Sequence, residues 1–169
     1  MLRIFAILML LTSSVAAQEA PMTVERLSEI VLDIDPDAAL TPNGLELTLE
    51  DIPLLIVVAP EADRMRAMVS IASAEDVTPE EMLRMMQANF DTALDARYAV
   101  AQGRVWGVFI HPLAALEREQ LLSGLAQTVN LARSYGSLYT GGANVFGRGD
   151  SSEIYQNLFE DLVARGQDI

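Results

Sequence analysis

The chain has no cysteine and only one histidine, His111. Without cysteine no disulfide can hold the fold, so its stability must come from a hydrophobic core. Zinc is excluded on protein ligands alone, because such a site needs several thiolates or imidazoles. A catalytic triad would have to use His111 as its base, and no G-x-S-x-G motif presents a serine to it. The sequence therefore names no catalytic residue, no metal site and no cofactor.

Lysine is also absent, so the 11 basic residues are all arginines and face 24 acidic residues. The formal net charge at pH 7 is −13, and the acidic residues are spread along the whole chain. Such a surface repels the phosphate backbone of nucleic acids and anionic lipid headgroups. We therefore expect no nucleic-acid partner.

Apolar runs are too short for a membrane span, which needs about 20 residues. The longest run, Ile4–Leu11, follows Arg3 and precedes small residues that end at Ala17. A positive residue, a short apolar segment and a small-residue site predict a secretory signal peptide over residues 1–17. We expect cleavage before Gln18, which leaves 152 of the 169 residues in the periplasm or outside a bacterial cell.

Hydrophobic periodicity divides residues 18–136 into the helices and strands of one domain. Apolar residues recur at helical spacing in three segments, and they alternate or form short runs in five others. The predicted helices are residues 23–33, 78–90 and 116–135, and the predicted strands are residues 45–50, 54–58, 64–72, 96–101 and 104–110. Short links favour antiparallel pairing. The prediction is an α+β fold: an antiparallel sheet of about five strands with packed helices, in the order α-β-β-β-α-β-β-α.

The C-terminal part of the chain has a different character. Five of the ten glycines fall between Gly136 and Gly149, and residues 137–150 match neither a P-loop nor a dinucleotide-binding loop. We interpret residues 137–150 as a connector. Residues 151–169 are predicted to form an amphipathic C-terminal helix.

Residues 33–37 have the D-x-D-x-D spacing that begins a calcium-binding loop. However, the sixth position is Ala38 where the loop needs glycine, and the twelfth is Gly44 where it needs glutamate. We therefore interpret this stretch as a solvated turn after the first helix.

The last predicted strand is the element on which we expect the domain to assemble. It carries the only tryptophan and has apolar residues on both faces, Val105 and Phe109 on one and Trp106, Val108 and Ile110 on the other. The long helix that follows a short loop covers only one face. We expect the C-terminal helix or another protein chain to cover the other face, because exposing three large apolar side chains is unfavourable.

The methionines allow two interpretations. Methionine fills irregular cores readily, which is the preferred interpretation for the group in residues 65–86, and it also serves adaptable binding surfaces. We take Met68, Trp106, Val108 and Ile110 as candidate partner-binding residues.

The element order from Thr23 to Tyr135, the small size and the acidity resemble the small acidic chaperones of type III secretion, such as the Tir chaperones. The resemblance rests on the element order and on the stretches Gly44–Ala72 and Ala96–Tyr135, without a signature motif. It implies a homodimer that binds extended segments of client proteins along sheet and helix surfaces. This chain departs from the family in its signal peptide, since those chaperones are cytosolic, and in the segments after Tyr135.

We therefore expect an exported, non-catalytic, chaperone-like module that binds a client protein, a partner protein or a second copy of itself. Two alternatives stay open: a small periplasmic hydrolase with an unrecognised carboxylate site, and an accessory subunit of an envelope assembly. A binding module should leave an apolar surface uncovered, whereas an enzyme should show a cleft with converging polar groups.

Overall fold

The computed structural model describes residues 19–42, 44–91, 93–134 and 153–166. The predicted signal peptide and the connector lie outside the described residues. The elements are α1 (Val24–Ile34), β1 (Ala39–Thr41), β2 (Gly44–Leu49), β3 (Ile52–Ala59), β4 (Arg64–Ser73), α2 (Pro79–Asp91), β5 (Arg97–Ala101), β6 (Arg104–His111), α3 (Arg118–Ser134) and α4 (Glu153–Arg165). The six strands form one antiparallel sheet in the order β1-β2-β3-β4-β6-β5. The predicted α+β class is confirmed. None of the described helices is long and apolar enough to cross a membrane.

The sheet has one strand more than predicted. β1 contains three residues and pairs antiparallel with the start of β2. Its central residue, Leu40, is 68% exposed. Three residues are too few to show an alternation, so hydrophobic periodicity carries no signal for this strand.

Two hairpins turn on pairs of residues with positive φ, as type I′ turns require. Gln102 and Gly103, at φ 52° and 70°, join β5 to β6, where the sequence predicts a break. Glu50 and Asp51, at φ 53° and 64°, join β2 to β3. The second turn has no glycine to signal it, and the predicted strand boundaries there are therefore wrong by one or two residues.

β3 runs through Pro53, which the sequence suggests as a strand boundary. The ladder between β3 and β4 ends at the pair Leu55–Met68, so the missing N–H of Pro53 removes no bond from it. Thr48 lies opposite Pro53 on β2, and its N–H donates to Asp35 Oδ2 at 2.8 Å. The proline is compatible with an internal strand because neither neighbouring strand needs its donor.

One face of the sheet, the helical face, packs against the helices and forms the core. α3 crosses β4 and β6, α1 contacts β2, and α4 packs on α3 and α1. α3 is buried over residues 121–122 and 124–131 because it lies between the sheet and α4. Its apolar residues and those of the strands belong to one continuous cluster.

α3 approaches β6 closely because glycine lies at both contacts. A Cβ on Gly124 would come within 2.5 Å of the Phe109 ring. A Cβ on Gly107 would lie 3.3 Å from the Cβ of Leu131. The absence of a side chain at Gly124 therefore permits the close contact of α3 with the sheet.

α4 does not lie on the second face of β6, so the expectation that it covers that face is wrong. Its buried residues Leu158 and Leu162 belong to the core on the helical side. The guanidinium of Arg165 donates to the carbonyl of Ile34 in α1 at 3.2 Å, and that of Arg118 in α3 donates to the carbonyl of Gly166. An amphipathic helix can bury its apolar stripe on other helices as well as on a sheet, and the sequence does not distinguish the two.

The residues before α1 are tied to the start of α3. Met22 is 2% exposed, and its N–H donates to the carbonyl of Ala114 at 3.3 Å. Glu19 Oε2 accepts the N–H of Arg118 at 3.1 Å and the guanidinium of Arg26 at 2.6 Å. A carboxylate at this place satisfies an N–H at the start of α3 that has no partner within the helix.

Candidate partner-binding face

The side of the sheet opposite the helices, the open face, is built by alternate residues of the same strands. The strand register places Leu55 beside Met68 and Met68 beside Val108. Trp106 and Ile110 lie two residues on either side of Val108 in β6 and share its face. The four residues predicted from the sequence thus lie on one continuous surface, and their role in binding stays a prediction.

This surface is apolar and only partly shielded. Ile110 is 53% exposed, and Met68, Trp106 and Val108 are half-buried. Every fully buried strand residue lies on the helical face instead, such as Ile56 at 0%. Within the described ranges, no helix packs on the open face.

The indole of Trp106 is held in place by the hairpin that carries it. Its Nε1–H donates to the carbonyl of Ala101 at 3.0 Å. The polar end of the ring is therefore satisfied at the end of β5, while the ring stays half-buried on the open face.

Two shallow grooves cross the open face. The first has a volume of about 630 Å³ and combines apolar residues with carboxylates: Leu55, Met68, Trp106, Asp35, Asp37 and Glu46. The second has a volume of about 370 Å³ and combines apolar residues with two arginines: Val57, Ala59, Ile110, Arg64 and Arg66. The face therefore has an acidic end and a basic end, with apolar side chains between them.

Four exposed arginines belong to the open face by their strand positions: Arg64, Arg66, Arg97 and Arg104. The salt bridges among the described residues use four other arginines: Arg26, Arg118, Arg133 and Arg165. Arg64, Arg97 and Arg104 bond neutral groups of the protein instead, for example Arg104 Nε with Ser70 Oγ at 2.5 Å. Within the described part of the chain, none of the four has a carboxylate partner.

Near both edges of the sheet, side chains form hydrogen bonds with backbone groups of the strands. Asn89 of α2 accepts the N–H of Tyr98 in β5 at 2.8 Å and donates to its carbonyl at 3.0 Å. At the other side, Asp35 takes the N–H of Thr48 in β2, beyond the residues that β1 pairs. Both contacts block positions at which an added strand would bond. No sequence signal distinguishes Asn89 from an ordinary helix residue.

α2 carries a second exposed apolar surface, the α2 stripe, made of Leu83, Met86 and Phe90. These residues are 60%, 42% and 71% exposed and follow one another at helical spacing. Met85 lies on the same helix but is fully buried and faces the core. The apolar arc of α2 is wider than the surface that the core covers.

The methionines divide between the core and the exposed surfaces, and a binding role for the exposed ones stays a prediction. Met65 and Met85 are 1% and 0% exposed and fill the core. Met68 lies on the open face, and Met86 lies on the α2 stripe. Core filling is therefore confirmed for Met65 and Met85, and Met82 also packs against the core while partly buried.

A cleft of about 540 Å³ lies where β5 and β6 approach the start of α3, and its lining shares Arg97 and Ile110 with the open face. Its charged lining comprises Asp95, Arg97, His111, Glu117 and Glu119. His111 Nδ1 pairs with the carbonyl of Pro112 at 2.8 Å, and Arg97 donates to the carbonyls of Leu94 and Ala96. These polar atoms serve the protein's own backbone.

The aspartates of the first turn also bond within the protein. Asp35 Oδ1 accepts the N–H of Asp37 at 3.1 Å, and Asp33 forms a salt bridge with Arg118 at 3.7 Å. No three acidic or histidine side chains in the described ranges are grouped to hold a metal ion.

Comparison with solved structures places this geometry in a known fold. A chain from the ExsC–ExsE complex matches with a TM-score of 0.53 at 14% identity, over 69% of this chain and 95% of that one. The fold is that of type III secretion chaperones. A chain from the HopA1–SchA chaperone–effector complex matches with a TM-score of 0.50 at 10% identity, over 66% of this chain and 93% of that one. No protein-family model and no curated protein matches the sequence.

Identities this low show the fold alone, so the resemblance stated from the sequence is confirmed at that level. The element order and the small acidic domain were sufficient signals for it. The matched structures come from complexes with protein partners. What this chain binds has to be argued from its own surfaces.

Proposed function

We propose that this protein is an exported, non-catalytic, chaperone-like module that binds extended segments of another protein on the open face. The observation that carries the proposal is the apolar strip of Leu55, Met68, Trp106 and Val108, on which no described helix packs. A soluble protein rarely leaves a continuous apolar surface uncovered without a binding role. Chaperone–effector and related complexes of the same fold agree with this role.

The open face, rather than a sheet edge, is the proposed contact. Asn89 occupies both backbone groups of Tyr98 on β5, and Asp35 occupies the N–H of Thr48 on β2. An incoming segment would have to break these bonds before it could add a strand. Side-chain contacts on the face need no such rearrangement.

The α2 stripe is the proposed site of self-association. Leu83, Met86 and Phe90 form a row on a surface that two copies can share across a twofold axis. A homodimer is also what the resemblance to the type III secretion chaperones implies. The open face would then stay accessible in each copy, because the stripe lies on a different element.

Export is the third part of the proposal. The signal peptide pattern of residues 1–17 supports it. Glu19 already bonds Arg118 of α3, and Met22 bonds Ala114 in the loop before α3. Cleavage before Gln18 would leave those contacts intact. Mass spectrometry of the protein from cells should find an N-terminus at or near Gln18, and recovery of intact protein that begins at Met1 would contradict export.

The hydrolase alternative has a candidate site in the cleft at the start of α3, whose lining includes Asp95, Glu117 and Glu119. Two of its polar side chains, Arg97 and His111, bond the protein's own carbonyls. We therefore place the function on the open face. An accessory role in an envelope assembly would use the same face and differs only in the identity of the partner.

The proposal is tested with an unfolded model client, reduced and carboxymethylated α-lactalbumin. Met68→Ser combined with Val108→Ser should weaken binding at least tenfold, because two apolar contacts at about 1.5–3 kcal/mol each are lost. Binding is measured by the fluorescence anisotropy of a dye attached to the client, because the client has tryptophans of its own.

Leu83→Ser on the α2 stripe is the matched control. It removes one exposed apolar side chain and should leave client binding unchanged while it weakens self-association in sedimentation experiments. Equal loss of client binding in both variants would contradict the assignment to the open face. Wild-type protein that binds no unfolded client would contradict the proposed function itself.

A further inference from the structure

The arginines of the open face define the chemistry of the segment that it binds, if the proposed function holds. We infer that the preferred partner is an extended protein segment in which carboxylate side chains stand next to apolar ones. The apolar side chains cover Met68, Val108 and Ile110, and the carboxylates meet Arg64 and Arg66.

The first argument is the distribution of charge. The chain has 24 acidic residues and 11 arginines, so most arginines should find carboxylates nearby. Four do so in salt bridges, whereas the four on the open face bond neutral groups or none among the described residues. Cations without carboxylate partners in so acidic a protein are concentrated on the face that is also apolar.

The second argument is the position of Arg66. The register places it directly between Val57 on β3 and Ile110 on β6. Neighbouring strands are about 4.8 Å apart, and alternate residues of an extended segment are about 6.7 Å apart. A segment whose apolar side chain covers Ile110 therefore brings a neighbouring side chain within reach of Arg66.

The third argument is the cost of covering an unpaired charge. A purely apolar segment that lies over Arg64 and Arg66 removes water from the guanidiniums and offers no acceptor in return. A carboxylate accepts two parallel N–H bonds from a guanidinium and compensates the lost hydration. Selectivity then comes from a penalty on neutral and cationic segments as well as from attraction to acidic ones.

The net charge of the protein predicts the opposite preference, so an experiment can distinguish the inference from a simple effect of net charge. At −13 the molecule as a whole repels an acidic segment and attracts a basic one. At 0.15 M salt the screening length is about 8 Å, so distant carboxylates are screened while contacts with Arg64 and Arg66 persist. Binding at physiological salt therefore reports the local arrangement.

The experiment uses three synthetic peptides with one alternating leucine–serine core and two terminal glutamates, glutamines or lysines. Binding to the protein is followed through the fluorescence of Trp106, its only tryptophan. The glutamate peptide should bind about three- to tenfold more tightly than the glutamine peptide, and the lysine peptide should bind most weakly.

The double variant Arg64→Gln, Arg66→Gln should lose the preference for the glutamate peptide. It should bind the glutamine peptide as tightly as the wild-type protein does. Arg84→Gln on α2 is the matched control, because Arg84 is exposed and lies off the open face, and it should keep the preference. Thermal unfolding of each variant checks that the fold is retained.

The outcomes separate the inference from the proposed function. Equal binding of the three peptides, or tightest binding of the lysine peptide, would overturn the inference and leave the proposed function standing. A double variant whose affinity for all three peptides falls by the same factor would also overturn the inference. The arginines would then contribute to binding regardless of the charge on the peptide. If no peptide binds the wild-type protein, both fail.

Discussion

The two faces of the sheet are made by the same strands and behave in opposite ways. Ile56 and Val57 are neighbours in β3, yet Ile56 is 0% exposed on the helical face and Val57 is only half-buried on the open face. The helical face meets α3 through small residues such as Gly124, which let the helix come close. The open face instead interleaves apolar residues with arginines such as Arg66. One face is built for permanent packing, and the other retains charges that a permanent cover would leave without partners.

The difference is partly visible in the strands themselves. In β2 polar residues alternate with leucine, as expected for a strand with one wet face. β3 and β6 are apolar on both faces, although no described helix covers the second one. A strand that is apolar on both faces, but has helices packed on only one of them, is a candidate for a binding role.

The largest expected effect compares the two neighbours in β3. Ile56→Ala should reduce the free energy of unfolding by about 2–5 kcal/mol, because it opens a cavity in the core. Val57→Ala should cost less than about 1 kcal/mol, because its side chain is already partly hydrated. Urea unfolding measures both values. Equal losses would mean that the open face is packed in solution, by self-association or by another segment.

A second prediction concerns the close approach of α3 to β6. Gly124→Ala should destabilise the fold by about 1–3 kcal/mol, because the new methyl group overlaps the Phe109 ring. The better helix propensity of alanine, worth about 1 kcal/mol, offsets only part of this loss. Combining it with Phe109→Leu should give a loss smaller than the sum of the two single changes, as expected for residues in contact. A stabilised Gly124→Ala variant would show that the helix sits farther from the sheet.

A third prediction concerns α2, which positions Asn89 at the sheet edge. Thr78 Oγ1 accepts the N–H of Glu81 at 3.2 Å, and Glu81 Oε2 accepts the N–H of Thr78 at 2.9 Å, so the two residues form a capping box. Thr78→Ala should cost about 1 kcal/mol and speed hydrogen exchange at the Tyr98 amide, which Asn89 protects. Thr78→Ser keeps the cap and should change neither. If hydrogen exchange at the Tyr98 amide is unchanged in the alanine variant, the start of α2 does not affect the protection of the β5 edge.

The smallest expected effect concerns Glu19 and pH. The N–H of Arg118, followed by the side chain of Arg26, lowers the pKa of Glu19 below its ordinary value of 4.5. A lowered folded-state pKa stabilises the protein above pH 4.5, and this contribution is lost as the pH falls through the folded-state value. Glu19→Gln should therefore lower Tm slightly at pH 6, and the difference should shrink toward pH 3. A difference that does not vary with pH would contradict a role for the charge.

Sequence reasoning reached most of the fold through local signals. The capping box at Thr78, the turn at Gln102–Gly103 and the alternation in β2 and β4 all reflect interactions among near neighbours in the chain. It missed β1 and the turn at Glu50–Asp51, because a three-residue strand has no period and acidic residues seldom mark left-handed turns. Of the candidate face, it found Met68, Trp106, Val108 and Ile110 as a set, since strand alternation places them together.

The alternation in β4 predicts that Arg64 and Arg66 share the face of Met68. It does not place Arg97 near them, and the caps at the edges of the sheet were not predicted. Arg66 and Arg97 are 31 positions apart, and only the pairing of β4 and β5 with β6 places them on either side of the same strand. Asn89 contacts Tyr98 only because α2 lies along β5. Such neighbours follow from register and helix position, which no local pattern encodes.

The sequence by itself determined the helices, the five longer strands and their order, the acidic surface, the absence of disulfides and a strand with two apolar faces. Each of these depends on composition or on short-range spacing. The tertiary structure decided which of those faces α3 covers, that α4 packs on helices instead of on the sheet, and which arginines lie apart from carboxylates. The physical reason is that an apolar face favours burial without specifying its partner. That choice depends on shape and on the close approach that Gly107 and Gly124 permit.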